Sequence, residues 1–171
     1  MSIEFNVIKI DVNINIDNAL SALRRVLKKI FGRDSAEKNM ELIALCEGRD
    51  LKAVQALLRE KIDINARDEK RRTLLIIASS KGKNKSVNKQ NFHLVKLLLE
   101  CKPDVNAKDN YGNTALIMAA RNGNLRIVKE LINAGADVNV KNDKGFTALM
   151  RAELHKYHKT AQFLRDHGAR E

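Results

Sequence analysis

The sequence predicts an all-α solenoid: stacked helix–turn–helix units joined by β-turn or hairpin connections, preceded by a strand-and-helix appendage. Three observations carry that expectation. Gly112-Asn113-Thr114-Ala115-Leu116 recurs 33 positions later as Gly145-Phe146-Thr147-Ala148-Leu149. The same offset pairs Ala119 with Ala152, Leu131 with Leu164, and Gly135-Ala136 with Gly168-Ala169. Self-similarity at a period of about 20–50 residues marks an array of stacked supersecondary units. Within a unit, Leu125, Ile127, Val128, Leu131 and Ile132 follow helical spacing. Composition agrees: 44% of the 171 residues are hydrophobic but only 4% aromatic, with no Trp and one proline, Pro103. That suits an interior of Leu, Ile, Val and Ala and leaves long helical stretches uninterrupted.

The appendage covers residues 1–33. Ile8, Ile10, Val12, Ile14 and Ile16 alternate with polar residues, the pattern of a half-buried strand. Leu20, Leu23, Leu27, Ile30 and Phe31 then suggest an amphipathic helix ended by Gly32, with Arg24, Arg25, Lys28 and Lys29 on its other face. Such a helix either caps the open side of the first unit or, being basic, binds a membrane surface or a partner groove.

The array occupies residues 34–171, divided at 34–66, 67–106, 107–139 and 140–171. In its first, partial unit, Leu42, Cys46, Leu51, Val54, Leu57 and Leu58 keep the apolar pattern, and Asp34 with Glu37 has capping-box spacing. In the second unit, Thr73, Leu75, Ala78 and Gly82 match Thr114, Leu116, Ala119 and Gly123 at an offset of 41, whereas Val95 and Leu98 match Val128 and Leu131 at 33. The difference places an eight-residue insertion at 83–90, polar and basic, expected as a solvent-exposed loop. Arg71 replaces the turn glycine of this unit, which predicts a distorted turn.

The third unit is the best preserved. Asp109-Asn110-Tyr111-Gly112 is turn chemistry, with Gly112 suited to positive φ. Thr114 is placed to cap a first helix, and Asn122-Gly123-Asn124 breaks it. Gly135 ends the second helix. In the fourth unit Ala120, Ile127 and Ile132 give way to Glu153, Thr160 and Arg165, as an end unit with one uncovered face requires.

Asp109, Gly112, Thr114, Leu116, Ala119, Ala120, Gly123, Val128, Leu131, Ile132 and Gly135-Ala136-Asp137-Val138-Asn139 together resemble the ankyrin repeat, and the resemblance spans roughly residues 39–171. There are departures. The Pro and His that follow the Thr in that family are Ala115 and Ile117 here, Leu74 and Ile76 upstream, and Ala148 and Met150 downstream. The resemblance implies a non-enzymatic module that docks a partner protein on a concave face through its turn tips and first helices. It also implies that Asn65, Asn106 and Asn139 stabilise turns, a position sometimes hydroxylated in the family. By alignment the partner-binding residues would be Arg67, Lys70 and Arg72; Lys108, Asn110, Tyr111 and Asn113; Arg121 and Asn122; and Lys141, Lys144 and Phe146. Tyr111 and Phe146 are the expected anchors, since aromatics are favoured at interfaces.

Charge refines the partner. The chain carries a formal +11, and between Arg67 and Asn106 ten basic residues face four acidic ones, about half of the excess. An acidic protein surface is the expected partner. The alternative is a polyanion, nucleic acid or anionic membrane, held by the basic insertion and the basic N-terminal helix. No aromatic platform for bases is interleaved with the charges. Two cysteines, Cys46 and Cys101, support neither a disulfide framework nor a zinc site and align with small residues of the repeat, so both are expected to be packed. His93, His155, His158 and His167 read as surface residues, and no catalytic, cofactor or metal-binding set emerges. No apolar run is long enough to span a bilayer. Charges at Glu4, Lys9, Asp11 and Asp17 interrupt any conventional signal peptide. The expectation is an intracellular, cytoplasmic monomer; export without such a peptide stays open.

Overall fold

The computed structural model describes residues 35–170 apart from 49, 61 and 81–84. The expected strand, helix and Asp34 cap of the first unit therefore lie outside the described residues. Eight helices are present among those described: α1 Ser35–Gly48, α2 Leu51–Leu57, α3 Leu74–Ser80, α4 Lys85–Glu100, α5 Ala115–Arg121, α6 Leu125–Asn133, α7 Ala148–Leu154 and α8 His158–Asp166. They pair as α1/α2, α3/α4, α5/α6 and α7/α8 within units. Between units, α1, α3, α5 and α7 pack in one row, and α2, α4, α6 and α8 in a second. This is the layered all-α array that the period implied.

Local chemistry starts each first helix. The Thr73, Thr114 and Thr147 hydroxyls accept from the backbone N–H of Ile76 at 3.4 Å, Ile117 at 3.3 Å and Met150 at 3.2 Å. Each such cap satisfies a donor the helix cannot satisfy itself. Second helices vary more at one aligned position. Asp50 caps α2 through Ala53 N at 3.1 Å and Asn124 caps α6 through Ile127 N at 3.5 Å, while Tyr157 begins α8 without a side-chain cap.

The fourth residue at that position, Asn91, is buried in the interior of α4 and does not begin it. Residues 85–90, expected as a loop, are helical and lengthen α4 to 16 residues, against 9 in α6. Polar, basic composition does not separate a loop from a solvated helix. Nothing after Gly82 breaks the chain before Pro103, and extending an existing helix is far easier than nucleating one.

The core is aliphatic. Leu42, Leu74, Leu75, Ile76, Ile77, Leu94, Leu98, Leu116, Ile117, Ile127, Leu131 and Leu149 are the largest fully buried side chains, and Ala78, Ala119 and Ala152 let neighbouring first helices approach. No aromatic ring is fully buried among the described residues. Phe92 and Phe163 sit half-buried on the second-helix row, where Arg126 lies 4.0 Å over Phe92 and Lys129 5.2 Å over Phe163. These contacts bridge successive units. Cys46 belongs to the core, and burial pushes its thiol up to about 12. Cys101 departs from expectation: it lies just past the end of α4 and is exposed.

In the last unit Glu153 and Arg165, two of the three polar replacements, form an ion pair with each other. The third, Thr160, is buried despite its hydroxyl. Glycine at positive φ closes the turns at Gly112 (70°), Gly145 (77°), Gly123 (66°), Gly135 (90°) and Gly168 (85°). Three aligned positions hold Arg71 (56°), Lys102 (51°) and Lys156 (58°) in the same left-handed region. The turn at Arg71 is therefore not distorted. Its Arg71 N–H to Asp68 carbonyl bond, 2.8 Å, matches those from Gly112 to Asp109 at 3.1 Å and Gly145 to Asn142 at 2.8 Å.

Candidate interaction surface

The turn tips are built alike. A carboxylate or amide at the head of each turn accepts from two backbone N–H groups: Asp68 from Lys70 and Arg72, Asp109 from Tyr111 and Asn113, and Asn142 from Lys144 and Phe146, all at 2.8–3.1 Å. Adjacent tips are also joined. Asn110 N donates to the Lys70 carbonyl at 3.0 Å, and Asp143 N to the Tyr111 carbonyl at 3.1 Å. An isolated antiparallel bridge, Arg67 with Thr73, is the hairpin element of the second unit.

A second ladder runs along the loops that leave the second helices. Asn65, Asn106 and Asn139 accept through Oδ1 from the N–H of Asp104 at 2.8 Å, Asp137 at 2.9 Å and Arg170 at 2.9 Å. Each of these asparagines thus ties its unit to the next. Asn106 and Asn139 also donate to the Gly135 and Gly168 carbonyls.

Several of the expected contact residues are engaged within the array. Arg67 donates to the Lys108 carbonyl at 2.8 Å, and Lys108 Nζ to the Lys141 carbonyl at 3.2 Å. Asn110 Nδ2 reaches Glu69, Asn113 binds Asp109 and accepts from Asn142 at 2.8 Å, and Asn122 Nδ2 reaches Ser79. Arg72 is half-buried, with Nε 2.7 Å from Asp68 and a terminal nitrogen 2.9 Å from Glu47. Burial opposes ionisation of Asp68, yet the Arg72 contacts and the Lys70 N–H outweigh it and hold the carboxyl below its ordinary range. Lys70, Tyr111, Arg121, Lys141 and Lys144 project without a side-chain partner of this kind among the described residues.

Seven of the expected contact residues line two clefts. Arg67, Lys70 and Arg72 share a cleft with Met40, Ile43, Glu47, Asp68 and Glu69, where acids balance the bases and Met40 is 72% exposed. Tyr111, Asn113, Arg121 and Lys144 line another cleft, of about 320 Å³, together with Asn142, Asp143 and Arg151. Tyr111 is 61% exposed there, and Phe146 is half-buried beneath Arg151, whose guanidinium lies 4.1 Å from the ring centroid. Burial first, and then repulsion from Arg121, lower the Arg151 pKa below its ordinary value. Arg151 and Met40 were not anticipated. The available signal for Arg151 was its replacement of Met118, an apolar residue one period upstream.

Among the described residues no helix is long and apolar enough to cross a membrane, and no three His, Cys, Asp or Glu side chains group as metal ligands. A family model described as ankyrin repeats matches in three copies, over residues 42–138 and 85–171. No curated protein matches the chain.

Proposed function

Because this chain belongs to the ankyrin-repeat family, whose arrays generally act as protein–protein interaction modules, we propose that it binds a partner protein through its turn tips and first helices. The observation that supports this reading best is Tyr111: a large aromatic ring left 61% exposed on a tip that is otherwise tightly hydrogen-bonded. A rigid tip carrying an exposed ring binds with little loss of conformational freedom. Phe146 lies at the next tip, under Arg151. The basic residues Lys70, Arg121, Lys141 and Lys144 would steer an acidic surface toward them.

The test is capture of a cross-linked partner from the native cell by wild type and by Tyr111→Ala with Phe146→Ala. Interface anchors of this kind contribute about 2 kcal/mol or more each, so capture by the double variant should weaken more than about a hundredfold while the helical circular dichroism is kept. Unchanged capture by the double variant removes these two residues from the interface.

Polyanion binding is the competing reading, favoured by Lys89 and Lys96, both exposed on the lengthened α4. Titration of generic DNA and anionic vesicles against salt separates the two. Steep salt dependence with indifference to sequence supports the polyanion, and no association at low salt dismisses it.

A further inference from the structure

We propose that Arg121 and Arg151, with Lys144 beside them, form a clamp for the carboxylate side chains of an acidic segment of the partner; this deepens the interaction reading above and rests on it. Arg121 is the last residue of α5 and Arg151 lies within α7, on first helices of successive units. Both line the cleft beside Tyr111, where Arg121, Lys144 and Arg151 face one acid, Asp143. Two other arginines of the array are already ion-paired. Arg72 pairs with Asp68 and Glu47, and Arg165 with Glu153. Arg126 is stacked on Phe92 away from this cleft. No described acid forms an ion pair with Arg121, Arg151 or Lys144.

Holding two guanidiniums close enough to repel is unfavourable for the array alone, and an incoming anion converts that repulsion into attraction. Arg151 is also preset. Phe146 supports its planar head group, and its Nε is enclosed with no hydrogen-bond partner. An arginine fork held in place suits carboxylate recognition, because little side-chain freedom remains to be lost on binding.

Two features select a peptide bearing separate carboxylates over a compact dianion. Asp143 lines the same cleft and repels concentrated negative charge more than divided charge. Tyr111 at its edge offers an exposed ring to an apolar residue flanking the acids, a contact that free phosphate does not make.

The experiment follows the arginine Nε–Hε resonances of the full chain, labelled with nitrogen-15, during three titrations. The probes are a terminally blocked hexapeptide alternating Glu and Leu, the same peptide with Gln for Glu, and inorganic phosphate. The Glu peptide should shift Arg121 and Arg151 saturably and leave Arg126 unmoved, while the Gln peptide leaves all three in place. Arg121→Gln and Arg151→Gln should each weaken the Glu peptide about tenfold, as expected for loss of a charge-assisted contact. Arg126→Gln should change nothing. Should Arg151→Gln disturb the fold by exposing Phe146, the exposed Arg121→Gln carries the comparison alone.

The clamp is overturned by any of four results: no saturable shift at millimolar peptide, equal binding of the Gln peptide, tighter binding of phosphate, or Arg121→Gln binding like wild type. Failure of the clamp is distinct from failure of the interaction reading. A partner whose capture needs Tyr111 and Phe146 but ignores Arg121→Gln leaves the latter standing.

Discussion

At the scale of single residues, the clearest tension lies in three backbone positions. Arg71, Lys102 and Lys156 occupy the left-handed region at sites where sister units place glycine. A side chain there brings Cβ against the following carbonyl oxygen, an unfavourable contact worth about 1–2 kcal/mol. The surrounding turn keeps its hydrogen bonds regardless, so the strain is tolerated and the turn survives. Arg71→Gly, Lys102→Gly and Lys156→Gly should each raise stability by about 0.5–1 kcal/mol, after allowing for the added freedom of glycine in the unfolded chain. Urea unfolding of the single and triple variants measures this. A triple variant no more stable than wild type would show that the three turns carry no strain. The opposite exchange meets a second obstacle at Gly123, where beyond the positive φ a Cβ would run into the ring of Tyr157.

Among the elements, α4 is the exception that explains how such an array absorbs extra chain. Six residues of the 83–90 insertion, 85–90, join the helix ahead of Asn91, the position at which Asn124 starts α6 one unit later. The added turns extend α4 by roughly 9 Å at about 1.5 Å per residue. They do so before the stretch holding Leu94, Val95 and Leu98, the residues buried in the stack. Deleting residues 83–90 would restore the 33-residue spacing and return Asn91 to a capping position. The expected result is a folded array whose stability changes by less than about 1 kcal/mol. Its helical circular dichroism should fall by about seven residues' worth, residues 85–90 and Asn91, which leaves the helix to cap it. Loss of cooperative unfolding would mean that the extension supports the stack.

Across the whole array, cohesion comes from contacts repeated between neighbours. Apolar faces of successive first helices and second helices meet, and the asparagine ladder runs beside them. Stability in such an architecture is approximately the sum of unit terms and neighbour terms, so weakening one interface lowers cooperativity as well as stability. Asn106 lies in the middle of the ladder and supplies both an acceptor to Asp137 and a donor to Gly135. Asn106→Ala should reduce stability by about 1 kcal/mol and broaden the urea transition. Asn106→Asp keeps the acceptor and should lose less. If both variants unfold at the wild-type midpoint, the ladder contributes nothing and apolar packing alone couples the units.

The amino-acid sequence by itself determined the period, the helix pairs, the threonine caps and the aliphatic core. Caps join residues three apart, and the rest recurs unit after unit, so a local pattern carries the information. Only the tertiary structure decided the rest. Arg72, expected on a binding surface, is drawn into an ion pair with Glu47, 25 positions away, and Arg67 into a bond with Lys108, 41 positions away. Arg151, unremarked in its own helix, shares a cleft with Arg121 from the preceding unit. Residues 85–90 became helix through continuity with a buried helix that their own polarity did not reveal. In each case the deciding neighbour comes from elsewhere in the stack, and charge or polarity read along the chain does not say which neighbour that will be.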